Sequence, residues 1–247
     1  MILTLAAKEL KSLFGSPLAW SVLAVLQALL AYVFLGQLDA YLSLQPRLTA
    51  LANPPGVTEM VAVPLFGVAA LVLLMATPLL SMRLIAGERR DRTLTFLFSA
   101  PLSLTEIVLG KFLGLLAFLA AVAALPALMA LSLYAGGALD FGLVLANLLG
   151  LLLLAAAFAA LGLFFSSLTA SPTLAGISSL GAFLGLWVVN MAVTDPNSAL
   201  HTLSLLKHFE SFNRGLVDSA DIAYFLVFAA LFLAFTVRRL DNQRLGG

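Results

Sequence analysis

The sequence has no cysteine, two histidines and little charge: only 10% of its residues are Asp, Glu, Lys or Arg. Without cysteine there is no disulfide, no thiolate nucleophile and no Cys-ligated metal. Two histidines, His201 and His208, are too few for a His-rich metal site. Soluble domains carry about 25% charged residues. A chain that is 62% apolar has more apolar surface than one soluble core hides, and long apolar runs mark a membrane protein. Motifs are missing too. No H-E-x-x-H, no G-x-S-x-G and no G-x-x-x-x-G-K-[ST] occurs, so the signatures of zinc proteases, serine hydrolases and phosphate-binding loops are absent.

What is present is a series of apolar runs. A helix needs roughly 20 apolar residues to cross the hydrocarbon core. Six segments are read as spans: about 18–38, 61–82, 107–134, 142–165, 173–194 and 222–237. The third is long enough to tilt, or to kink at Pro126; the last is short. The expected fold is all-α and integral to the membrane, a single domain over residues 1–247. The N-terminal segment, broken by Lys8, Glu9 and Lys11, is expected to be retained rather than cleaved as a signal peptide.

The middles of these spans lack Asp, Glu, Lys, Arg and His. A charge at the bilayer centre costs about 2.5–3.5 kcal/mol, so such residues usually mark function. Their absence argues against ion-binding transport at the midplane, and no catalytic, cofactor or metal site is expected within the chain. Asn147 and Asn190 are the polar outliers, read as helix–helix hydrogen bonds. Small residues recur four apart at Gly110/Gly114, Ala146/Gly150 and Gly181/Gly185. Such spacing lets helix backbones approach, and Gly181/Gly185 is the pair expected to form a tight helix contact.

The loops orient the chain. With both termini inside, the inner segments hold ten of the thirteen Lys and Arg residues; the outer ones hold only Arg47, Lys207 and Arg214. The positive-inside rule then places both termini in the cytoplasm. Residues 1–15 read as an amphipathic interfacial helix, with Leu3, Leu5, Ala6, Leu10, Leu13 and Phe14 on one face and Lys8 and Lys11 off it. Gly15, Ser16 and Pro17 bend the chain into the first span. The first outer loop, 39–60, contains Pro46, Asn53, Pro54, Pro55 and Gly56 and is expected to be irregular.

Seven of the twenty-five charged residues fall within 86–111: Glu88, Arg89, Arg90, Asp91, Arg92, Glu106 and Lys111. A polar turn, 87–92, is followed by a short helix over 93–99 with Leu94, Leu97 and Phe98 on one face. Ala100-Pro101 ends it. Ser103 with Glu106 is a capping-box pattern opening the third span. Lys111 is expected to snorkel to water. The short helix either floats on lipid, its basic residues matching anionic headgroups, or plugs a soluble partner with a charged rim around an apolar knob.

Three stretches, KELKSLFGSPL (8–18), ERRDRTLTFLFSAPLS (88–103) and LGKFLG (109–114), resemble the ABC-2 family of ATP-binding-cassette transporter permeases, over nearly the whole chain. The outer segment HFESFNRGLVDSADIAYF (208–225) is similar to the gliding-motility-associated (GldF-like) branch. The resemblance implies that 86–105 is a cytoplasmic coupling region docking on a separate ABC ATPase. Glu88, Arg89, Arg90, Asp91, Arg92, Leu94, Leu97 and Phe98 would form that contact, and Lys8, Glu9 and Lys11 would belong to the interfacial helix, 1–16. The chain departs from the family at Arg92, where related sequences usually have Gly before the Thr. The resemblance also implies that 195–221, beginning at the Asp195-Pro196 stop, is an outer re-entrant gate carrying His208, Phe209, Glu210, Phe212, Arg214 and Asp218. His208, Phe209, Phe212, Leu216 and Val217 are expected on one face of a short helix there.

By the same resemblance the chain binds no cofactor; ATP and Mg belong to the ATPase. A second permease subunit, identical or related, and an accessory subunit with an outer, periplasmic domain are implied, in a bacterial inner membrane. Membrane lipid is the other expected contact, and nucleic acid is not. The alternative reading is a non-transporting membrane scaffold that anchors a cytoplasmic partner.

Overall fold

A computed structural model describes residues 1–48, 54–93, 102–136, 139–192 and 204–245. Among these there is no strand. The helices are α1 (Ile2–Phe14), α2 (Pro17–Leu48), α3 (Val63–Ser81, entered through a π-helical turn at Thr58–Ala62), α4 (Ala86–Arg90), α5 (Leu104–Ser132), α6 (Phe141–Leu168), α7 (Pro172–Ala192), α8 (Leu205–Asn213) and α9 (Ser219–Leu245). Five stretches are long and apolar enough to cross a membrane: Pro17–Leu48, Thr58–Arg90, Leu104–Ala135, Phe141–Leu168 and Ser219–Arg244. The expected span at 173–194 coincides with α7, whose apolar part, Pro172–Val188, is shorter.

The helix ends follow local chemistry. Pro17 opens α2, where its missing N–H costs nothing. Ser103 and Glu106 form the expected capping box: the Glu106 N–H donates to Ser103 Oγ at 3.2 Å, and the Ser103 N–H to Glu106 Oε2 at 2.9 Å. Asp140 accepts the Leu143 N–H at 3.0 Å and starts α6. Pro126 lies inside α5, which continues through it to Ser132. Two expected lengths change. α2 runs to Leu48 with Pro46 inside it, so the first part of the expected irregular loop 39–60 is helix; 32 residues extend about 48 Å, well beyond the ~30 Å core. The short last span, 222–237, becomes the 27-residue α9.

The core is built from α3, α5 and α6, the most buried spans, around Phe66, Phe118 and Phe158. Phe158 stacks on Phe183 of α7 with ring centroids 4.7 Å apart. α2 is mostly exposed and shows Trp20, Val25, Tyr32 and Leu35 to its surroundings. An apolar outer surface suits lipid, and the helices satisfy their own backbone groups there.

Glycines place the two short amphipathic helices. A Cβ at Gly110 would lie 2.7 Å from Leu5, and one at Gly114 would lie 2.7 Å from Glu9 Cβ. Thus α1 is seated on α5, and the rings of Phe14 and Phe118, 5.0 Å apart, lock its end. The expected face of α1 is corrected at Leu3 and is completed by Glu9. Leu3 is 77% exposed, whereas Glu9 is buried, because the face that meets α5 is centred on Glu9. At the other end of the bundle, a Cβ at Gly150 would lie 2.6 Å from Phe212 Cβ, so α8 rests on α6. Leu205, Phe209 and Phe212 are buried there, while Leu216 and Val217 lie beyond the helix and are exposed. Gly110, Gly114 and Gly150, from two of the expected small-residue pairs, thus admit short helices. Gly181 and Gly185 have no atom within 4 Å of a built Cβ among the described residues.

Gly150→Val places carbon where Phe212 already sits. Overpacking costs about 1–3 kcal/mol, so a lowered Tm in detergent is expected. Exposure of α8 to protease should accompany it; an unchanged Tm and digestion pattern would count against this seat.

Candidate functional site

The described charged residues of the 86–105 region converge on α4, a helix of five residues. So short a helix has almost no internal hydrogen bonding, and its partners come from elsewhere. Ser166, at the end of α6, is fully buried. Its Oγ accepts the N–H groups of Ile85 and Ala86, each at 3.1 Å, and donates to the Met82 carbonyl at 3.0 Å. One hydroxyl, with one donor and two acceptor sites, is thereby used completely. Arg89 donates to the Ser167 carbonyl at 3.1 Å and to Gln243 Oε1 near the end of α9.

Lys111 supplies the third tie. Its side chain is only 1% exposed, so the expected snorkelling to water does not occur. Instead Nζ lies 3.1 Å from Glu9 Oε1 and 2.6 Å from Glu88 Oε1. The reason is positional. Gly110 and Gly114 bring α1 down over the start of α5, covering the path the amine would take. Lys8 sits at the rim, 3.8 Å from Glu9. Glu88 Oε2 is buried with no hydrogen-bond partner among the described residues. One cation therefore joins α1, α4 and α5. Lys11 is exposed and off this contact.

The chain leaves α4 through a Schellman turn. The Thr93 N–H bonds to the Glu88 carbonyl at 2.9 Å and the Arg92 N–H to the Arg89 carbonyl at 3.2 Å. This pattern puts the donor of the second, shorter-range bond in the left-handed region, a site Gly usually fills. Here it is Arg92, with φ 57°. α8 ends by the same pattern, with Leu216 bonded to Ser211 and Gly215 to Phe212, and there the left-handed residue is Gly215 at φ 80°. The departure noted at Arg92 thus falls on a position with a physical preference for glycine; a residue with a Cβ costs about 1–2 kcal/mol in that conformation. Arg90, Asp91 and Arg92 are exposed. Leu94, Leu97 and Phe98 lie outside the described residues, as do 195–203.

At the opposite end, His208 Nδ1 lies 2.5 Å from Asp221 Oδ1, and its ring stacks on Tyr224 at 3.9 Å. Glu210 pairs with Arg214 on the surface. Asp218 accepts the Ala220 N–H at 3.0 Å and opens α9. His208, Glu210 and Asp218 thus have separate partners, and among the described residues no group of three or more His, Cys, Asp and Glu is placed to hold a metal. Asn147 donates to the Leu143 carbonyl at 2.8 Å and to the Asn213 carbonyl at 3.4 Å, tying α6 to α8. The side chain of Asn190 lies outside what is described.

Sequence reasoning brought Glu88, Arg89 and Glu9 forward but missed Ser166, Ser167, Gln243 and the burial of Lys111. The serines look like an ordinary helix end, and Gln243 like a polar tail. The one available signal for Lys111 was its place between Gly110 and Gly114, which invites a helix onto that face.

Compared with known families, residues 3–245 match the model described as ABC-2 family transporter protein. No curated protein matches the sequence significantly.

Two outcomes are expected. Lys111→Met leaves two carboxylates buried without their cation, a change of about 3–5 kcal/mol. Limited proteolysis should then cut near the junction of α1 and α2, and Lys111→Met with Glu9→Met and Glu88→Met together should recover stability; a resistant single variant would show that the cluster does not hold α1. Arg92→Gly should keep or raise Tm, whereas Arg92→Val should lower it by more than any change at exposed Lys11. Equal Tm values for the two Arg92 variants would contradict the left-handed turn.

Proposed function

The chain belongs to the ABC-2 transporter family, and from that premise we propose that it is the permease subunit of an ATP-driven exporter. In this reading α7 also crosses the membrane, as the fifth of six spans, both termini face the cytoplasm, and the membrane is a bacterial inner membrane. The loop from α4 to α5 is the coupling region. A separate ABC ATPase binds ATP and Mg and drives it, since the sequence holds no phosphate-binding loop. A second permease subunit completes the pathway, and the open face at Gly181 and Gly185 is available to it. The similarity of 208–225 to the gliding-motility-associated branch supports an accessory subunit with a periplasmic domain, and α8 with its His208–Asp221 pair serves as the outer gate.

The observation that carries the reading is the bracing of α4. Charged-group and hydroxyl contacts fasten this short helix to α1, α5, the end of α6 and the end of α9. A push on the loop is therefore delivered to several membrane helices together. Packed helices respond by switching between discrete arrangements rather than bending continuously. An unbraced loop would absorb the same push.

The test is purification of the tagged chain from native membranes, wild type and Phe98→Asp, with mass spectrometry of what accompanies it. An ATPase with a phosphate-binding loop should accompany the wild type and be lost from the variant. A variant that keeps both the ATPase and transport would refute docking through Phe98. Absence of any ATPase from properly inserted wild type would favour the scaffold reading.

A further inference from the structure

Two cavities at the α4 end meet at one side chain. The first, about 570 Å³, lies between the α1–α2 turn, the end of α3, α4 and the start of α7. Its wall includes the cations Lys8, Arg83 and Arg90 and the anions Glu9, Glu88 and Asp91. The second, about 560 Å³, is a groove between α2 and α3 walled by apolar side chains such as Val25, Leu29, Leu71 and Met75, with Ser21 near one end. Leu79 lines both.

Their chemistry differs in a way that matches one kind of ligand. Lys111 offsets one of the two charges of Glu9 and Glu88 from inside, and Lys8 lies 3.8 Å from Glu9 at the rim. Arg83 and Arg90 form no ion pair among the described residues, and both are exposed. With Lys111 counted, four cations face the three anions Glu9, Glu88 and Asp91, so the balance is positive and the surplus lies with Arg83 and Arg90 at the mouth of the first cavity. Arginine and lysine side chains so grouped recognise phosphate oxygens. The groove runs from Leu79 back to Val68, about 16 Å along a helix axis, close to the ~15 Å hydrocarbon depth of one leaflet, half the bilayer core. Val25, Leu29, Leu71 and Met75 are exposed along it, so the groove opens sideways toward lipid.

We propose that this pair of cavities binds one anionic glycerophospholipid of the surrounding leaflet, with its phosphate at Lys8, Arg83 and Arg90 and an acyl chain in the α2–α3 groove. The bound lipid is a structural partner, not the transported cargo, and its binding does not depend on ATPase docking. It grips from outside two of the elements that Lys111 joins from within: Lys8 belongs to α1, and Arg83 and Arg90 flank or end α4. Lipid composition then sets how firmly the braced loop is held.

The test is native mass spectrometry of the full chain, delipidated in detergent and titrated with phosphatidylglycerol or phosphatidylcholine. One phosphatidylglycerol per chain should survive activation that strips phosphatidylcholine. Arg83→Gln with Arg90→Gln should weaken retention about tenfold, as expected for lost charge-assisted hydrogen bonds. Met75→Trp, which fills the groove and leaves every charge in place, should weaken it as well. Equal retention of the two lipids, or unchanged retention in either variant, overturns the proposal. Should the double variant fail to fold, Lys8→Gln replaces it, with the same outcomes decisive.

Discussion

An ammonium with 1% of its side chain exposed must find its counter-charge within the protein, and the rest of the α4 end is arranged around Lys111 doing so. Desolvating an ion costs several kcal/mol even after relaxation, and attraction to a partner repays it only when the geometry is good. Lys111 has two carboxylates, at 2.6 Å and 3.1 Å, from segments far apart in sequence. Such a cluster adds little stability compared with packed apolar residues. What it supplies is register: Glu9 and Glu88 meet the same amine in only one arrangement of α1, α4 and α5.

The membrane setting makes that register useful. Within lipid there is little hydrophobic drive to hold one apolar helix on another, and α2 shows how loosely an apolar helix can sit. The contacts that fix position are therefore close glycine seats and polar ties at the helix ends. Gly110 and Gly114 let α1 approach α5 until Glu9 reaches Lys111. Gly150 does the same for α8 on α6, where Asn147 reaches the Asn213 carbonyl. Both ends of the bundle thus use one device: a small residue in a span, a short amphipathic helix pressed on it, and a polar side chain that sets the depth.

The strongest sequence signals were the ones with a local cause. Apolar runs gave the spans because their length is set by the bilayer. Ser103 with Glu106 gave a helix start because the bonds lie within four residues. Arg92 stood out against a glycine preference, and the Schellman turn supplies the reason. Signals failed where the cause was distant. Lys111 was read by its nearness to a helix end, which says nothing of a helix arriving from residues 2–14. Leu3 was assigned by periodicity to the face that meets α5 but lies exposed off that contact, and Leu216 and Val217 were assigned to a helix that ends before them at Gly215.

By itself the sequence determined an all-helical membrane protein, the second, third and fourth apolar spans to within a few residues of their helices, and the concentration of charge between two of those spans. These follow from composition and from contacts along the chain. Only the tertiary structure decided what the charge meets. It placed Ser166, Gln243, Glu9 and Lys111 around five residues of α4, from segments up to about 150 residues away. No periodicity encodes such a meeting, because it depends on which helix faces which, and on two glycines thin enough to let them touch.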